Sequence, residues 1–544
     1  MRFYLLVVGF ILAFASTNAQ HRFYSNNYTE YMRFEGQLYE PGKNIHTATK
    51  PYRIAELNEI MPFDSIRSER HHNRKFSRTL IGRKLWWKSL LQLDSAWFHL
   101  AVDPVLNFEL GQDLKSGNRL INNTRGLIIK GSIGKIVSYE TSFYENQASF
   151  HDYIHDWVDT NQVIPGQGRI KDFTFSSLYT NNGFKQKGYD FSMAQGYISV
   201  QPLKWLNVQF GNDRLFFGNG YRSFLLSDAG FNYPFLKITT KFRRLQYTNV
   251  YAQLQDVQIP VNFESGFKKK FFTAHYLSYR VGRRLQLGLF EGIVWQGKDS
   301  TGTRGFEINH LNPIILFRPI QFEAEQSPHN ALVGLNFSFI PFKRGLIYGQ
   351  VAVDEFNTRQ LFAGEASIDH RIGFQFGFKW FDLFGLKNSY AQVEFNQANP
   401  YFQASRNSFT NYGHYAQPLS HPLGGNFREI LGFVGYRWKD LWFEMKAVHS
   451  QVGRDTTGYS FGSNVNRAIP LSHEVGDPAQ IYRGDREFQT FVDTKIGWIV
   501  NRASNLNLIL GLNYRKAWSA TSSEEIQFVY FGIRTNLRNL YYDY

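Results

Sequence analysis

The segment from Ala331 to Phe356 follows a rule that constrains the whole chain. Between Ala331 and Phe339 every second residue is apolar, and from Gly334 on the intervening residues, Gly334, Asn336 and Ser338, are small or polar. A strand sends alternate side chains to opposite faces, so one face suits an apolar medium and the other suits water or close packing. After a turn at 341–345 the pattern resumes, giving two arms of the ~9–11 residues that a transmembrane strand needs.

The same unit recurs along the chain. Eighteen alternating segments can be placed from Ala96 onward, among them Gly126–Ile133 as the second and Glu525–Leu537 as the last. The connections between them alternate in length, from short ones such as Val281–Gly282 to long ones such as Gly297–Asn330 and Gly453–Glu487. Short turns on one side and long loops on the other are typical of outer-membrane barrels.

Backbone hydrogen bonding decides how such strands can cross a membrane. In hydrocarbon every N–H and C=O must be paired, so amphipathic strands can span only as a sheet closed on itself. The sequence therefore predicts an all-β protein, a transmembrane antiparallel β-barrel of about 18 strands formed by residues 96–544. An even strand count places the N- and C-termini in the periplasm, and the location is the outer membrane of a Gram-negative cell.

Residues 1–19 have the pattern of a signal peptide. Arg2 precedes an apolar run from Phe3 to Phe14, and small residues up to Ala19 precede Gln20. This arrangement is typical of a secretory signal with a cleavage site. The apolar run is too short to span a membrane, so a membrane anchor is disfavoured.

Residues 20–95 form a basic segment before the first strand. Between Ser65 and Lys88 there are eight Lys and Arg against the single Glu69. Within it, Phe76–Leu91 has the pattern of a short helix with Leu80, Trp87 and Leu91 on one face. We predict a short helical periplasmic segment. It either docks under the barrel and closes it or is a solvated leader, and the sequence leaves both open.

Several classes of chemistry are excluded or disfavoured. The chain has no Cys, which excludes disulfides, thiolate metal sites and a lipid-modified cysteine. His414 and His421 are seven residues apart with Pro418 between them, which imposes no ligand geometry, so we predict no metal and no cofactor. No nucleophile, phosphate-loop or dinucleotide motif is present, and we predict that the protein is not an enzyme. The net charge of +15 is expected in loops, lumen or a periplasmic segment. Basic residues such as Lys268–Lys270 favour anionic surface glycans or lipopolysaccharide, whereas nucleic acid is not an expected partner of a secreted barrel.

Candidate binding residues lie in two long loops. The loops Gly218–Asp228 and Asn411–Arg428 combine turn-forming residues with aromatic, His and Arg side chains. Aromatic faces beside hydrogen-bond donors suit sugar rings. The predicted glycan-binding residues are Tyr221, Arg222, Tyr412, His414, His421 and Arg428. The alternative is that these residues fold a long loop back into the lumen and plug it.

Four strings in these loops and their neighbours carry a family resemblance. They are Phe217–Asp228, His310–Pro319, Tyr348–Phe356 and Tyr412–Gly424. They resemble large outer-membrane proteins of Bacteroidetes-type bacteria that are grouped with the Wzi capsule-assembly family and are often called gliding-motility protein RemB. The resemblance covers roughly Ala96 to the C-terminus. It implies an eighteen-stranded barrel with periplasmic helices and a role at the cell surface, in attaching capsular polysaccharide or in gliding.

The first functional hypothesis is a barrel whose extracellular loops bind and anchor capsular or other surface polysaccharide, with lipopolysaccharide as a further partner. The second is a component of the gliding apparatus. The third is a channel, because eighteen strands can surround an aqueous lumen, in which Lys379, Lys495 and Arg515 would favour anions. Outer-membrane lipid and the barrel-insertion machinery, which reads a terminal aromatic strand, are the other expected partners.

Overall fold

The strands of this protein close into a barrel. The computed structural model describes residues 22–43, 45–46, 48–68, 79–171, 188–257, 266–299, 302–303, 305, 311–316, 329–355, 370–470, 481–535 and 537–544. Eighteen long strands are present. They are β1 Phe98–Asp113, β2 Arg119–Ile133, β3 Val137–Ser149, β4 Gly188–Leu203, β5 Leu206–Asp213, β6 Tyr233–Phe242, β7 Leu245–Asp256, β8 Lys268–Val281, β9 Leu285–Gln296, β10 His329–Phe339, β11 Gly345–Glu355, β12 Arg371–Phe381, β13 Ser389–Ala398, β14 Phe427–Trp438, β15 Leu441–Arg454, β16 Asp485–Asn501, β17 Leu506–Trp518 and β18 Ser523–Arg534. The predicted signal peptide, residues 1–19, lies outside the described residues.

Each strand pairs antiparallel with its neighbours in sequence, and β18 closes the ring against β1 through pairs from Arg534–Asn107 to Phe528–Asp113. The predicted antiparallel barrel of 18 strands is confirmed. Several strand boundaries differ from the prediction by a few residues, and two of these differences have a clear physical cause. Strand β2 begins at Arg119 rather than at Gly126, because its polar first half still pairs with β1 and β3. Strand β18 ends at Arg534 rather than at Leu537, because the chain then turns into the lumen.

The connections define two ends of the barrel. The short-turn end carries the turns at 134–136, 204–205, 243–244, 282–284, 340–344, 382–388, 439–440 and 502–505. The long-loop end carries the connections at 150–187, 214–232, 257–267, 297–328, 356–370, 399–426 and 455–484, with two short turns at 114–118 and 519–522. That the short-turn end faces the periplasm stays a prediction.

Alternation along the strands separates the two faces. In β12 Gln375 and Lys379 point inward and are buried, whereas Phe376 points outward and is exposed. The same holds for outward Phe210 in β5 and Leu510 in β17. An apolar outer face and a polar inner face are what a barrel in lipid requires. Among the described residues, no helix is long and apolar enough to cross a membrane.

One outward patch breaks this rule. Asn249, His275 and Glu291 sit on the outward faces of β7, β8 and β9, yet each is buried. Residues 311–316 cover this patch: the backbone N–H of Leu316 donates to Glu291 Oε2 at 2.8 Å. Residues 311–316 therefore shield these polar side chains from lipid. Such cover is favourable because an unpaired polar group facing hydrocarbon costs roughly several kcal/mol.

The lumen is filled from the short-turn end by the N-terminal segment, residues 22–68. Its helices are α1 Tyr28–Tyr31, α2 Glu35–Leu38, α3 Ile54–Ile60 and α4 Phe63–Ser68. Tyr28 packs against Phe433 of β14 with ring centroids 4.7 Å apart, and Tyr39 packs against Phe381 of β12 at 5.7 Å. The next helix, α5 Leu80–Trp86, covers part of the predicted Phe76–Leu91 helix and lies at the rim of the barrel, against Trp498.

From the long-loop end the lumen is filled by two loops that pack together. Phe224, Leu225 and Leu226 of loop 214–232 form an apolar core with Tyr412 and Leu419 of loop 399–426. The Tyr412 hydroxyl donates to the Leu225 carbonyl at 2.7 Å. The C-terminal tail, residues 537–544, joins this assembly, since the Tyr541 hydroxyl donates to Asp228 at 2.7 Å. We refer to these two loops and the tail as the plug.

Candidate functional site

Arg222 lies at the centre of the plug. Its Nη2 is 2.9 Å from Glu429 Oε1 on β14 and 3.0 Å from Asp543 Oδ1 in the C-terminal tail. All three side chains are at most 1% exposed. The guanidinium thus joins a loop, the barrel wall and the tail, and each carboxylate is neutralised where water cannot reach it.

The loop reaches Arg222 through a close backbone approach to β13. The backbone N–H groups of Tyr221 and Arg222 donate to the two oxygens of Glu394 at 2.8 and 3.1 Å. A Cβ on Gly220 would lie 2.3 Å from Glu394 Oε2, so a side chain there would displace either the loop or the carboxylate. Glycine at this position therefore allows the two backbone donors to meet the carboxylate.

Two further groups complete this cluster. Lys446 Nζ is 2.7 Å from Asp543 Oδ2, and burial would raise the pKa of the Asp543 carboxyl, but Arg222 and Lys446 hold that pKa well below its usual range. His421 Nδ1 accepts from the Leu423 backbone N–H at 3.2 Å, so Nε2 carries the proton and donates to Glu429 at 3.0 Å. We refer to Arg222, Glu429, Asp543, Lys446 and His421 as the Arg222 cluster.

A second buried ion cluster lies toward the short-turn end. Lys379 Nζ is 2.9 Å from Glu35 Oε2, Lys50 Nζ is 3.8 Å from Glu35 Oε1, and the Tyr39 hydroxyl donates to Glu35 at 2.7 Å. Burial would raise the pKa of Glu35, yet Lys379 and Lys50 together hold that pKa below its usual value. We refer to Glu35, Lys379 and Lys50 as the Glu35 cluster.

The structure places the six predicted glycan-binding residues in three neighbourhoods. Tyr221, Arg222 and His421 meet in or beside the Arg222 cluster. Tyr412 and His414 lie near the long-loop ends of β7 and β8, and all five of these side chains are buried. Arg428 stands apart on the outward face of β14, exposed, donating to Gln397 at 2.9 Å. Five of the six thus make contacts within the plug, and a direct contact of any of the six with glycan stays a prediction.

His414 is held neutral by its surroundings. Its Nδ1 accepts from the backbone N–H of Gln255 at 3.0 Å, and its Nε2 lies 3.2 Å from the Asn232 carbonyl. Burial lowers the pKa of His414 to about 3. Since the released loop binds a proton below pH ~6.5 and the packed loop does not, acid favours release.

Acidification is therefore expected to loosen the plug. The contribution of His414 to the stability of the packed loop should be constant above pH ~6.5, fall by at most about 1.4 kcal/mol per pH unit below it, and level off near pH 3. Protease cleavage of loop 399–426 against pH measures this. His414→Gln, which keeps an acceptor but does not titrate, should flatten the profile. An unchanged profile in that variant would assign the acid effect to another group.

The long-loop end holds an open cavity above the plug. This mouth cavity, about 670 Å³, lies between helix α6, Asp152–Asn161, and loops 399–426 and 455–484. Its lining includes Asp156, Trp157, Arg454, Glu487, Arg515 and Tyr544. Its charged side chains have defined partners. Arg454 Nη2 is 2.7 Å from Glu487 Oε1, and the Arg515 guanidinium lies 3.8 Å from the centre of the Tyr153 ring.

Sequence reasoning did not find the mouth cavity. Its residues come from β15, β16, β17, α6, loops 399–426 and 455–484 and the C-terminus, and no contiguous string contains them. The available signal was the amphipathic helix α6 in the 150–187 connection, whose Ile154 and Val158 are buried and whose Asp156 is exposed. Among the described residues, no group of three or more His, Asp or Glu is placed to hold a metal ion.

Comparison with solved structures supports the fold. The chain is similar to Wzi, an outer-membrane protein involved in group 1 capsule assembly in Escherichia coli and described as a carbohydrate-binding β-barrel. The TM-score is 0.54 at 13% identity, over 95% of this chain and 100% of that one. OprD of Pseudomonas aeruginosa (TM-score 0.41, 10% identity, 81% and 94% covered) and OccAB2 of Acinetobacter baumannii (0.41, 9%, 80% and 98%) are more distant. No family model and no curated protein matches the sequence.

These comparisons bear on the family resemblance only in part. The protein has the fold of an outer-membrane β-barrel, and its similarity to Wzi is structural, at low sequence identity. Nothing in them concerns RemB or gliding.

Proposed function

We propose that this protein is an outer-membrane barrel that binds surface polysaccharide at its mouth cavity, with the long-loop end outside the cell and the plug forming the cavity floor. The observation that carries the proposal is the composition of the mouth cavity. Trp157 and Tyr544 supply apolar ring faces, and Arg454, Glu487 and Arg515 supply charged hydrogen-bonding groups. Its volume falls within the ~300–1,000 Å³ of typical ligand pockets.

The chemistry of the cavity suits a charged glycan. Sugar rings pack their C–H faces on aromatic rings, and carboxylate substituents are bound well by guanidinium groups. The Arg454–Glu487 pair is partly exposed, so a ligand can contact it without opening the fold. The structural neighbour Wzi is described as a carbohydrate-binding barrel, which agrees with this proposal at the level of fold. Capsule attachment is the cellular role that we infer.

Trp157→Ala is expected to weaken glycan binding. The change removes a half-buried ring from the cavity wall and leaves the barrel strands untouched. Loss of one stacking surface of this kind is worth about 0.5–1.5 kcal/mol, a roughly 2- to 13-fold weaker binding. Titration of purified capsular polysaccharide into detergent-solubilised protein measures the affinity, and cell-associated glycan in the variant strain gives the cellular consequence.

The matched control is Trp205→Ala, which removes an exposed tryptophan from a turn at the short-turn end. It should leave both binding and glycan retention unchanged. Equal affinity in the wild type and Trp157→Ala, with equal retention on cells, would contradict a site in the mouth cavity. Equal loss in both tryptophan variants would point to impaired assembly instead.

A channel is the second candidate, and a chain of cavities favours it. The mouth cavity shares Tyr153, Ile154 and Tyr542 with a lumen cavity of about 230 Å³ beside the plug. That cavity shares Asn27, Glu30 and Asn505 with a smaller one near the short-turn end. Of the three lysine and arginine residues predicted to face the lumen, Lys495 and Arg515 line these cavities and Lys379 is paired with Glu35. Steady conductance of the wild type in planar bilayers would support passage.

A role in gliding stays a prediction that follows only from the sequence resemblance. Colony spreading by a deletion strain, scored together with cell-associated glycan, separates the two roles. Lost spreading with normal glycan would favour the gliding apparatus over polysaccharide binding.

A further inference from the structure

A short segment at the rim of the barrel, Thr79–Asp94, lies outside the lumen. Helix α5 begins after Thr79, whose hydroxyl accepts from the Gly82 backbone N–H at 3.0 Å. At its other end Trp86 packs on Trp498 of β16, with ring centroids 6.0 Å apart. Trp498 shares the outward face of β16 with the exposed Ile496, while Lys495 lines the lumen cavity. The helix therefore contacts the lipid-facing side of the wall.

Hydrogen bonds fix the helix at this rim. Asn501, at the end of β16, donates from Nδ2 to the carbonyls of Lys84 at 2.9 Å and Lys88 at 3.2 Å. Ser89 and the backbone N–H of Leu90 both donate to Asp103 of β1, each at 3.1 Å. The segment is thus bound to two separate strands of the barrel, and its position relative to the wall is defined.

The apolar side chains of the segment are exposed. Leu80 is 68% exposed and Ile81 is 70% exposed, and Leu85 and Leu90 are exposed as well. The short strand Leu91–Asp94 pairs with β1 through Leu91–Val102 and Leu93–Leu100. Directly opposed residues in an antiparallel pair lie on the same face of the sheet. Leu91 and Leu93 therefore extend the outward apolar face of β1 down to the helix.

The charged side chains of the segment before Asp94 are all basic. Arg83, Lys84 and Lys88 stand among these apolar residues, and no Asp or Glu occurs from Thr79 to Leu93. A helix with exposed apolar and basic side chains and a length too short to span is the kind that lies in the plane of a membrane interface. A water-exposed apolar patch of this size would otherwise need a partner.

We propose that Thr79–Asp94 is an interfacial anchor: it inserts Leu80, Ile81 and Leu85 into the leaflet at the short-turn end and places Arg83, Lys84 and Lys88 among anionic phospholipid headgroups. Two observations select lipid as the occupant. The apolar patch is continuous with the lipid-facing wall of β1 and β16, and the basic side chains of Arg83, Lys84 and Lys88 complement anionic lipid. In sequence the anchor joins the N-terminal segment, which fills the lumen, to β1, so it also fixes where that segment leaves the barrel.

The absence of cysteine from the chain makes the test direct. A nitroxide label is attached to Ile81→Cys in the full-length protein, reconstituted in vesicles of phosphatidylethanolamine and phosphatidylglycerol. Matched labels at Phe210→Cys, on the outward face of β5, and at Glu59→Cys, an exposed position on α3, mark lipid and water. Collision rates with oxygen and with a water-soluble nickel chelate report the depth of each label.

The expected result is an oxygen-to-nickel collision ratio at Ile81→Cys several-fold above that at Glu59→Cys, approaching that at Phe210→Cys. A ratio equal to that at Glu59→Cys would overturn the anchor, and so would a label shielded from both reagents, because that indicates contact with protein. Two experiments test the binding of anionic headgroups by the basic side chains. One uses the double change Arg83→Gln, Lys84→Gln, and the other uses vesicles of phosphatidylcholine alone. A shallower label in each case supports anionic recognition, and an unchanged depth in both overturns it.

Discussion

Arg222→Ala is expected to release the plug while leaving the barrel closed. The change leaves Glu429 fully buried without its arginine and leaves Asp543 with Lys446 as its cationic partner. Removing one partner of a buried ion pair costs about 3–5 kcal/mol, whereas the strand pairing of the barrel does not involve this side chain. At about 1.4 kcal/mol per factor of ten, the released fraction should rise roughly 100- to 4,000-fold.

Conductance and proteolysis measure the release. In planar bilayers Arg222→Ala should show frequent openings that the wild type lacks, and loop 214–232 should be cleaved faster in detergent. The shift in mobility between unheated and heated samples on denaturing gels should stay unchanged, because the eighteen strands remain paired. Arg222→Lys keeps the charge but loses the planar guanidinium that contacts two carboxylates. Its conductance and cleavage rate should therefore lie between those of the wild type and Arg222→Ala.

Arg428→Ala is the matched control. It removes the same side chain from the exposed outward face of β14, one position from Glu429, where it donates to Gln397. It should leave conductance and cleavage at wild-type levels. Equal behaviour of Arg222→Ala and Arg428→Ala would mean that the apolar core around Phe224 and Tyr412, rather than the ion cluster, holds the plug. Wild-type conductance equal to that of Arg222→Ala would instead favour the channel candidate.

The barrel could be predicted because the alternation that marks each strand depends only on residues close together in sequence. The period of two in β10 to β12 needs only neighbouring residues, and backbone pairing in hydrocarbon then forces closure. The prediction was weakest where local polarity hides a strand, as in the first half of β2. There the sequence has Asn122, Asn123 and Thr124, and pairing with β1 and β3 decides the conformation.

The plug could be foreseen only as an alternative, because its contacts are remote in sequence. Arg222 and Glu429 are 207 residues apart, and Tyr221 and Asp543 are 322 apart. A loop rich in Tyr, Arg and His has the same composition whether it binds sugar or fills a lumen. Burial distinguishes the two cases, and burial is a property of the closed barrel rather than of any string.

The outward patch and the mouth cavity show the same limit. Glu291 interrupts an otherwise apolar outward face of β9, and only the position of residues 311–316 shows how its carboxylate is satisfied. The mouth cavity is assembled from elements as distant as α6 and Tyr544. In both places the sequence contains the residues concerned, but it does not show which distant residues they contact in the folded protein.

Glu35→Ala is expected to free the N-terminal segment from the short-turn end of the lumen. The change leaves Lys379 and Lys50 buried, with their shared carboxylate gone. An uncompensated buried charge of this kind again costs about 3–5 kcal/mol. Since α2 carries Glu35 and is joined to the wall by this contact and by Tyr39 on Phe381, we expect α2 to leave the lumen.

A cysteine at Leu38, which is buried next to Glu35, makes this release measurable in a chain without other cysteines. Maleimide should label Leu38→Cys at least tenfold faster when Glu35 is replaced by alanine, and at the unchanged rate when the exposed Glu59 is replaced instead. Glu35→Gln separates charge from hydrogen bonding, because it still accepts from Tyr39 but cannot neutralise Lys379. If labelling stays slow in both Glu35 variants, the aromatic packing of Tyr31 on Tyr52 and of Tyr39 on Phe381 is sufficient to hold the segment.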